Sequence, residues 1–362
     1  MGKVGILTFH DTTNFGATLQ AVATYYAIRD LGYDVEIIDY RCNEIDRREI
    51  PAKKYDFSNG SLKGLIYFLL SNGKHQKKYK LLHDFLWKET KVSKRYDKSN
   101  ISTANKEYDC FVVGSDMLWY FENTCHDYTY LLDFVEDNRK KIAFATSMGH
   151  CLKQEDEKDF ILYLNDFENI AVREEELSKR IASMLKRDIY HVCDPTMLIS
   201  PKIWEKYAVK KNIKKYALVY MDTEKGVCLK DACAYANANG TDIRLARFKN
   251  PMKHFNSYKT AELYSIEDFL SEIANASIVY TASYHGMLFA LYFHIPVVYY
   301  NKDSTRLQGI AKILNIEYRN GDQYNHLEMK DIDWKNVDEK RKEFCDFSKD
   351  ILKGVLSRNE NM

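Results

Sequence analysis

A histidine between a buried-strand pattern and an apolar helix pattern is the residue of this chain best placed for chemistry. Residues 277–281 predict a strand and residues 287–293 predict a helix that Pro296 helps to terminate, so His285 lies at a strand-to-helix turn. In open α/β sheets ligands bind at such turns, where the first N–H groups of a helix attract an anion. The sequence therefore predicts a protonatable group beside a phosphate or carboxylate. The alternative is that His285 is only a polar residue at the start of a packed helix.

Two other strand patterns also end in polar side chains. Arg173 directly follows an Ile-Ala-Val run, and its planar guanidinium could bind a carboxylate or phosphate through two hydrogen bonds. Pairing with Glu174 to Glu176 is the alternative. Ser115 and Asp116 follow a Val-Val-Gly run, where the carboxylate could take a proton from a sugar hydroxyl and Trp119 could stack on the ring. An N-cap at Asp116 and a core position for Trp119 are the alternatives.

The first strand-to-helix turn, residues 10–20, is rich in hydroxyl and amide groups. Its candidate ligand contacts are His10, Asp11, Asn14 and Gln20. The turn matches neither a dinucleotide fingerprint nor a P-loop, so those modes of nucleotide binding are unsupported. Capping of the helix by Asn14 is the alternative reading of this turn.

The elements that must position these residues form two alternating strand and helix series. We predict an α/β fold of two Rossmann-like, doubly wound domains that face a cleft with room for two substrates. The predicted bounds are 1–198 for the N-terminal domain, with a helical insertion at about 43–105, and 199–338 for the C-terminal domain. A C-terminal helix, 339–362, is expected to pack back on the first domain.

Composition limits the classes of function. Lys plus Arg (53) nearly balance Asp plus Glu (52) over 362 residues, so no basic footprint indicates nucleic acid. The eight cysteines lack metal-ligand spacing and favour reduced core positions in a cytoplasmic protein, with no metal site. No apolar run is long enough for a membrane helix. The basic segment 74–80 is expected to be solvated, and contact with an anionic lipid at the inner face of the membrane is the alternative.

Taken together, these motifs resemble the polysaccharide pyruvyl transferase family. The matching segments, in the order of the family, are Asn14 to Gln20, Val113 to Trp119, Ala171 to Glu174, Cys193 to Leu198, and Ser283 to Gly286 with Phe289, Ala290 and Pro296. The family resembles GT-B glycosyltransferases in fold. It moves the enolpyruvyl unit of phosphoenolpyruvate onto two hydroxyls of a sugar, which gives a cyclic pyruvate ketal and phosphate.

The resemblance implies that Arg173, Ser283, His285 and Gly286 lie on the phosphoenolpyruvate side. It implies that Asp116, with Ser115 and Trp119, and the 10–20 turn face the acceptor. Many members carry arginine where this chain has Ser283, so the second cation is expected from Arg247 or Arg306.

The resemblance implies ketal formation in surface polysaccharide biosynthesis, and that reaction needs one acid, one base and a cationic group beside the departing phosphate. In this scheme His285 is the acid, Asp116 the base and Arg173 the phosphate clamp, with phosphoenolpyruvate as co-substrate and neither a cofactor nor a metal. The acceptor is a sugar diol, and a lipid-linked oligosaccharide is one candidate carrier. Two alternatives stay open: a GT-B glycosyltransferase that uses a nucleotide sugar, and a catalytically silent homologue that binds a glycan or an anion.

Overall fold

The computed structural model describes residues 2–51, 62–149, 152–210, 215–223, 225–246, 259–300 and 305–358. The chain divides into two compact units. The first unit comprises Met1–Ile199 and Glu343–Met362, and the second comprises Ser200–Lys342. Among the described residues, no helix has the length and apolar character needed to cross a membrane.

The first unit is built on a parallel sheet whose described strands follow the order β3-β2-β1-β4-β5-β6-β7. Its strands are β1 (Lys3–Leu7), β2 (Asp34–Tyr40), β3 (Val92–Tyr96), β4 (Cys110–Val113), β5 (Lys141–Thr146), β6 (Asn169–Val172) and β7 (Tyr190–His191). Its helices are α1 (Phe15–Asp30), α2 (Asn43–Glu49), α3 (Leu62–Glu89), α4 (Phe121–Thr124), α5 (Glu157–Leu164), α6 (Glu175–Leu185) and α7 (Pro195–Leu198). The central strands β4 and β5 are buried along their whole length, as expected for a sheet covered on both faces.

The second unit repeats the same topology in a smaller form, with the described strands in the order β10-β9-β8-β11-β12, all parallel. Its elements are α8 (Pro201–Glu205), β8 (Tyr216–Tyr220), α9 (Val227–Asn239), β9 (Asp242–Ala246), β10 (Lys259–Ala261), α10 (Ile266–Ala274), β11 (Ile278–Thr281), α11 (Tyr284–Tyr292), β12 (Val297–Tyr299) and α12 (Thr305–Ile313). The predicted α/β class with two parallel, doubly wound sheets is confirmed.

The last helix, α13 (Trp334–Arg358), begins before Glu339, where the sequence pattern predicted its start. Its later half belongs to the first unit. There the Cys345 thiol donates to the carbonyl of Met197 at 2.9 Å, and the Ser348 hydroxyl accepts from the Cys193 N–H at 2.9 Å. These buried bonds fix the helix to the chain segment that follows β7.

The segment 43–105 differs from the prediction of a helical insertion. Besides α2 and α3 it contains β3, which pairs in parallel with β2 at the edge of the sheet. The strand escaped prediction because an edge strand exposes its side chains, and Lys94 and Arg95 give it a polar pattern. The short edge strand β10 was missed in the second unit for the same reason.

Candidate active site

Strand order reverses at one point in each sheet, between β1 and β4 in the first unit and between β8 and β11 in the second. At such a point the helices after the two strands lie on opposite faces, which leaves a crevice at the carboxyl ends of the strands. Most of the predicted site residues follow these strands or their neighbours, and Arg173 follows β6, two strands from β4.

In the first unit, Gln20 and Ser115 hold the ends of β1 and β4 together. The Gln20 amide donates to the Thr8 hydroxyl at 2.9 Å and its carbonyl accepts from the Ser115 N–H at 3.1 Å. Gln20 and Ser115 are fully buried. Their polar groups are bonded within the protein, and contact of these two residues with an acceptor stays a prediction.

Asp116 follows Ser115 at the end of β4 with a φ of 76°. A side chain in this region of backbone space is strained, and such strain concentrates at functional sites. One carboxylate oxygen accepts from the Met117 N–H at 2.8 Å, and the residue is 9% exposed. The geometry keeps Asp116 a candidate base at the rim of the crevice.

Trp119 does not face a ligand, contrary to the prediction. Its side chain is completely buried, its indole N–H donates to the carbonyl of Tyr130 at 3.0 Å, and its ring packs edge-on against Phe160 and Phe167. The alternative reading of this residue as core is the correct one.

His10 and Asp11 belong to a buried network of charged groups at the ends of β1 and β2. The His10 Nε2 lies 3.1 Å from an Asp39 oxygen, and the Arg41 guanidinium contacts both Asp39 and Asp11. The long helix α3 adds Tyr79, whose hydroxyl donates to Asp11 at 2.7 Å, and His83 at 3.0 Å. The network joins the first turn to the inserted helix.

The neighbouring groups of this network set the pKa of the Asp11 carboxyl. Burial by itself raises the pKa of this carboxyl, but hydrogen bonds from His83 and Tyr79 and the charge of Arg41 outweigh it. The pKa of Asp11 therefore lies well below its usual range. Asp11 is an ionised anchor of the fold at neutral pH. Asn14 likewise acts locally, because its side chain caps α1 by accepting from the Gly16 N–H at 2.9 Å.

A notch opens beside this network, with about 240 Å³ of empty space that includes open solvent. Its walls include His10, Asp11, Tyr40, Arg41 and Asp46. Burial raises the pKa of the Asp46 carboxyl above its usual value, while Arg41 opposes this and the charge of Asp11 adds to it. A half-buried carboxylate that is costly to ionise, lining a pocket, is a frequent feature of functional sites.

Arg173, the predicted clamp, is already engaged inside the first unit. Its Nη1 donates to Asp194 Oδ2 at 2.8 Å and its Nε lies 3.5 Å from Glu174 Oε1. The side chains of Arg173 and Asp194 are 1% and 0% exposed. Asp194 also accepts from the Thr196 N–H at 2.9 Å and so caps α7. In this structure Arg173 ties β6 to the segment after β7.

In the second unit, His285 lies in the first turn of α11, directly after β11. Ser283 is the N-cap, and its hydroxyl accepts from the Gly286 N–H at 3.2 Å. The Thr281 hydroxyl accepts from the Ser283 N–H at 3.0 Å and donates to the Tyr220 carbonyl at 2.6 Å, which links the ends of β11 and β8. His285 is therefore held at the point where the strand order reverses.

Gly286 explains how closely α11 approaches the sheet. A Cβ atom at this position would lie 2.7 Å from Tyr220 Cδ1 and 2.8 Å from Thr281 Oγ1, closer than real contacts allow. Only glycine lets the first turn of α11 pack over β8 and β11. The His-Gly pair thus combines a titratable side chain with the backbone that places it.

The other predicted cations occupy different positions. Arg306 lies in the first turn of α12, which follows β12 and packs beside α11. Because β12 pairs in parallel with β11, Arg306 and His285 both lie in the first turns of helices at the carboxyl ends of these strands. Arg247 lies outside the described residues. No group of three potential metal ligands lies together in the described part of the chain.

Comparison with known families shows that these motifs belong to one protein family. A sequence model of the family described as polysaccharide pyruvyl transferase matches residues 14–304. The chain belongs to the polysaccharide pyruvyl transferase family. The match spans both switch points of this pyruvyl transferase family member, and no protein in a search of curated sequences matches it.

Solved structures similar to this polysaccharide pyruvyl transferase family member share its fold at very low sequence identity. A protein assigned as a UDP-N-acetylglucosamine 2-epimerase from Listeria monocytogenes has a TM-score of 0.51 and 11% identity, over 97% of this chain and 90% of that chain. The UDP-GlcNAc 2-epimerase of Neisseria meningitidis has a TM-score of 0.48 and 10% identity, over 99% and 100%. An α-glucosyltransferase in complex with UDP has 0.48 and 8%, over 96% and 95%. The first likeness shows the GT-B-like α/β fold and nothing more specific.

Sequence reasoning missed several residues of the charged network in the first unit. Arg41 directly follows β2, so a search of every strand end would have found it. Tyr79 and His83 are spaced four apart on α3, which places them on one face of the helix. That face could be identified from the sequence, but its packing against Asp11 could not.

Proposed function

We propose that this protein transfers the enolpyruvyl unit of phosphoenolpyruvate to a sugar diol, forming a cyclic pyruvate ketal and releasing phosphate. The observation that carries the proposal is the placement of His285 in the first turn of α11, at the reversal of strand order in the second sheet. The N-terminal N–H groups of a helix attract an anion, and an imidazole there can also deliver a proton. Membership of the pyruvyl transferase family supports the same reaction.

The chemistry assigns one task to each unit. His285 protonates the methylene carbon of phosphoenolpyruvate, which leaves an oxocarbenium-like centre that a sugar hydroxyl attacks. A second hydroxyl then displaces phosphate. Asp116, at the rim of the crevice in the first unit, is the proposed base for a hydroxyl proton.

The second cation for the donor is Arg306. Ser283 stands where many family members carry arginine, and it is used as the N-cap of α11. Arg306 lies in the first turn of the helix after the neighbouring strand, at the carboxyl end of the sheet where His285 also lies. Arg173 contributes by holding β6 and α7 in place rather than by direct contact with phosphate, since its guanidinium is buried against Asp194.

The proposal is tested by phosphate release with phosphoenolpyruvate and a glycan acceptor. His285→Ala should lower turnover on the order of 10²-fold or more, because the catalytic acid is lost. His294→Gln is the matched control: His294 lies just past the other end of α11, where it pairs with Asp338 at the surface. Turnover of His285→Ala within a few-fold of wild type would exclude His285 as the acid.

Ligand-induced stabilisation separates the alternatives. A ligand that binds the native state raises the melting temperature. Stabilisation by phosphoenolpyruvate supports pyruvyl transfer, whereas stabilisation by uridine nucleotides alone would favour a glycosyltransferase that uses a nucleotide sugar. Stabilisation by phosphoenolpyruvate without phosphate release on any glycan would indicate a binding homologue that lacks catalysis. Surface polysaccharide synthesis, with a lipid-linked oligosaccharide as acceptor at the membrane face, is the proposed setting.

A further inference from the structure

The carboxylate of Glu174 is buried with one oxygen held and the other without a hydrogen-bond partner among the described residues. Oε1 accepts from the Ser147 hydroxyl at 2.5 Å, while Oε2 is buried and accepts from no group in the described chain. The side chain is 7% exposed. A buried oxygen that lacks a donor is destabilising and calls for a specific explanation.

Helix capping does not explain this arrangement. Glu174 occupies the N-cap position of α6, where a side chain commonly accepts from the first N–H groups of the helix. Its side chain makes no such bond and instead reaches Ser147 at the end of β5. The carboxylate is thus directed along the carboxyl ends of the strands and not along its own helix.

Ser147 connects Glu174 to Asp116. The Ser147 N–H donates to the carbonyl of Asp116 at 2.9 Å, while its hydroxyl donates to Glu174. The register of β5 shifts just before it, between Phe144 and Thr146, and such a bulge re-aims the residues that follow. Asp116, Ser147 and Glu174 therefore follow the carboxyl ends of three neighbouring strands of the first sheet, β4, β5 and β6.

We infer that Glu174 is a second carboxylate of the acceptor site, whose Oε2 accepts a hydrogen bond from one hydroxyl of the sugar diol and takes its proton. The inference rests on the proposed pyruvyl transfer and adds to it a residue that the sequence suggested only as an ion-pair partner of Arg173. Ser147 holds Oε1, which leaves Oε2 as the carboxylate oxygen that can accept from a hydroxyl of the diol.

The chemistry of ketal formation supplies a task for two carboxylates. Two O–H bonds of the diol break while two C–O bonds form to C2 of phosphoenolpyruvate, and the bond from C2 to the phosphate oxygen breaks. One hydroxyl proton restores the proton that His285 gave to the methylene carbon, and the other leaves with the phosphate. Asp116 receives one of these protons first and Glu174 receives the other.

Glu174→Gln tests the assignment, because glutamine keeps the shape and can still accept from Ser147. With phosphoenolpyruvate saturating, we expect kcat/KM for the acceptor to fall on the order of 10²-fold or more. Stabilisation by phosphoenolpyruvate should be unchanged. The control is Glu175→Gln, which removes an exposed neighbouring carboxylate paired with Lys179 at 2.6 Å and should leave kcat/KM unchanged.

If the wild type releases no phosphate, the proposed function is contradicted, but the role of Glu174 in binding the acceptor can still be tested. Measurements of glycoside binding then decide the inference. Saturation-transfer NMR with methyl hexopyranosides that carry unsubstituted 4- and 6-hydroxyls then compares the two proteins. Affinity at least about tenfold weaker for Glu174→Gln supports the inference, as expected for a lost hydrogen bond to a charged group. Equal affinity of the two proteins, no binding of any glycoside to the wild type, or kcat/KM within threefold of wild type overturns it.

Discussion

Replacing Arg173 by methionine should destabilise the protein by about 3–5 kcal/mol, because it leaves the carboxylate of Asp194 buried without its charged partner. The two side chains are 1% and 0% exposed and joined at 2.8 Å, so water cannot replace the lost guanidinium. In a unit of 150–250 residues each kcal/mol shifts the melting temperature by about 2–4 °C. The expected fall is therefore roughly 6–20 °C.

Thermal unfolding followed by circular dichroism at neutral pH measures this effect. Arg180→Met is the matched control, because Arg180 pairs with Glu157 at 2.6 Å on the surface, with side chains 34% and 37% exposed. A surface pair of this kind contributes about 0–1 kcal/mol, so the control should melt within a few degrees of wild type. In the double variant Arg173→Met with Asp194→Leu, neither charge is left unpaired, and its loss should be smaller than the sum of the single losses.

One result would refute this reasoning. If Arg173→Met melts within about 2 °C of wild type, the ion pair does not hold the fold, since a shift that small corresponds to about 1 kcal/mol or less. Arg173 would then again be a candidate clamp for phosphoenolpyruvate, as its position after β6 indicates from sequence alone.

Two other substitutions test the geometry of the crevices. Gly286→Ala should lower the free energy of unfolding by about 1–3 kcal/mol, since the new methyl would lie 2.7 Å from Tyr220 Cδ1. The control is Gly309→Ala on α12, where the new methyl meets no atom within 4 Å and should be neutral or stabilise by up to about 1 kcal/mol. Similar melting temperatures of the two variants would contradict the close packing of α11. Asp46→Asn should melt above wild type at pH 7. The pKa of Asp46 is raised in the folded state, so its contribution to the stability of the fold is present below the unfolded pKa and is lost as the pH rises through the folded pKa. The difference in melting temperature between Asp46→Asn and wild type should therefore vanish below about pH 4. A lower melting temperature for Asp46→Asn at pH 7 would show that its carboxylate is stabilised, not strained, beside the notch.

The fold could be predicted largely because its central strands have strong local patterns. The strand predicted at residues 277–281 is β11, and the helix predicted at residues 287–293 overlaps α11, since buried strands and apolar helices leave a clear pattern in the sequence. The edge strands β3 and β10 could not be predicted in this way. Their side chains are partly solvated, and their pairing depends on a neighbour distant in the chain.

The site could be predicted only in outline, because strand ends are local features and side-chain partners are not. The sequence placed His285 and Asp116 at strand ends, but nothing local shows that Trp119 turns into the core. Arg173 has Glu174 as its sequence neighbour, whereas its short ion pair is with Asp194, 21 positions away. Gln20 and Ser115, 95 positions apart, meet only because β1 and β4 are adjacent in the sheet.

Calorimetric titration of phosphoenolpyruvate into the wild-type protein tests directly whether phosphoenolpyruvate is the donor. We predict saturable binding at one site, which is strongly weakened in His285→Ala and unchanged in His294→Gln. If phosphoenolpyruvate does not bind while a uridine nucleotide binds at a single site, the donor is not phosphoenolpyruvate and the proposed pyruvyl transfer is contradicted.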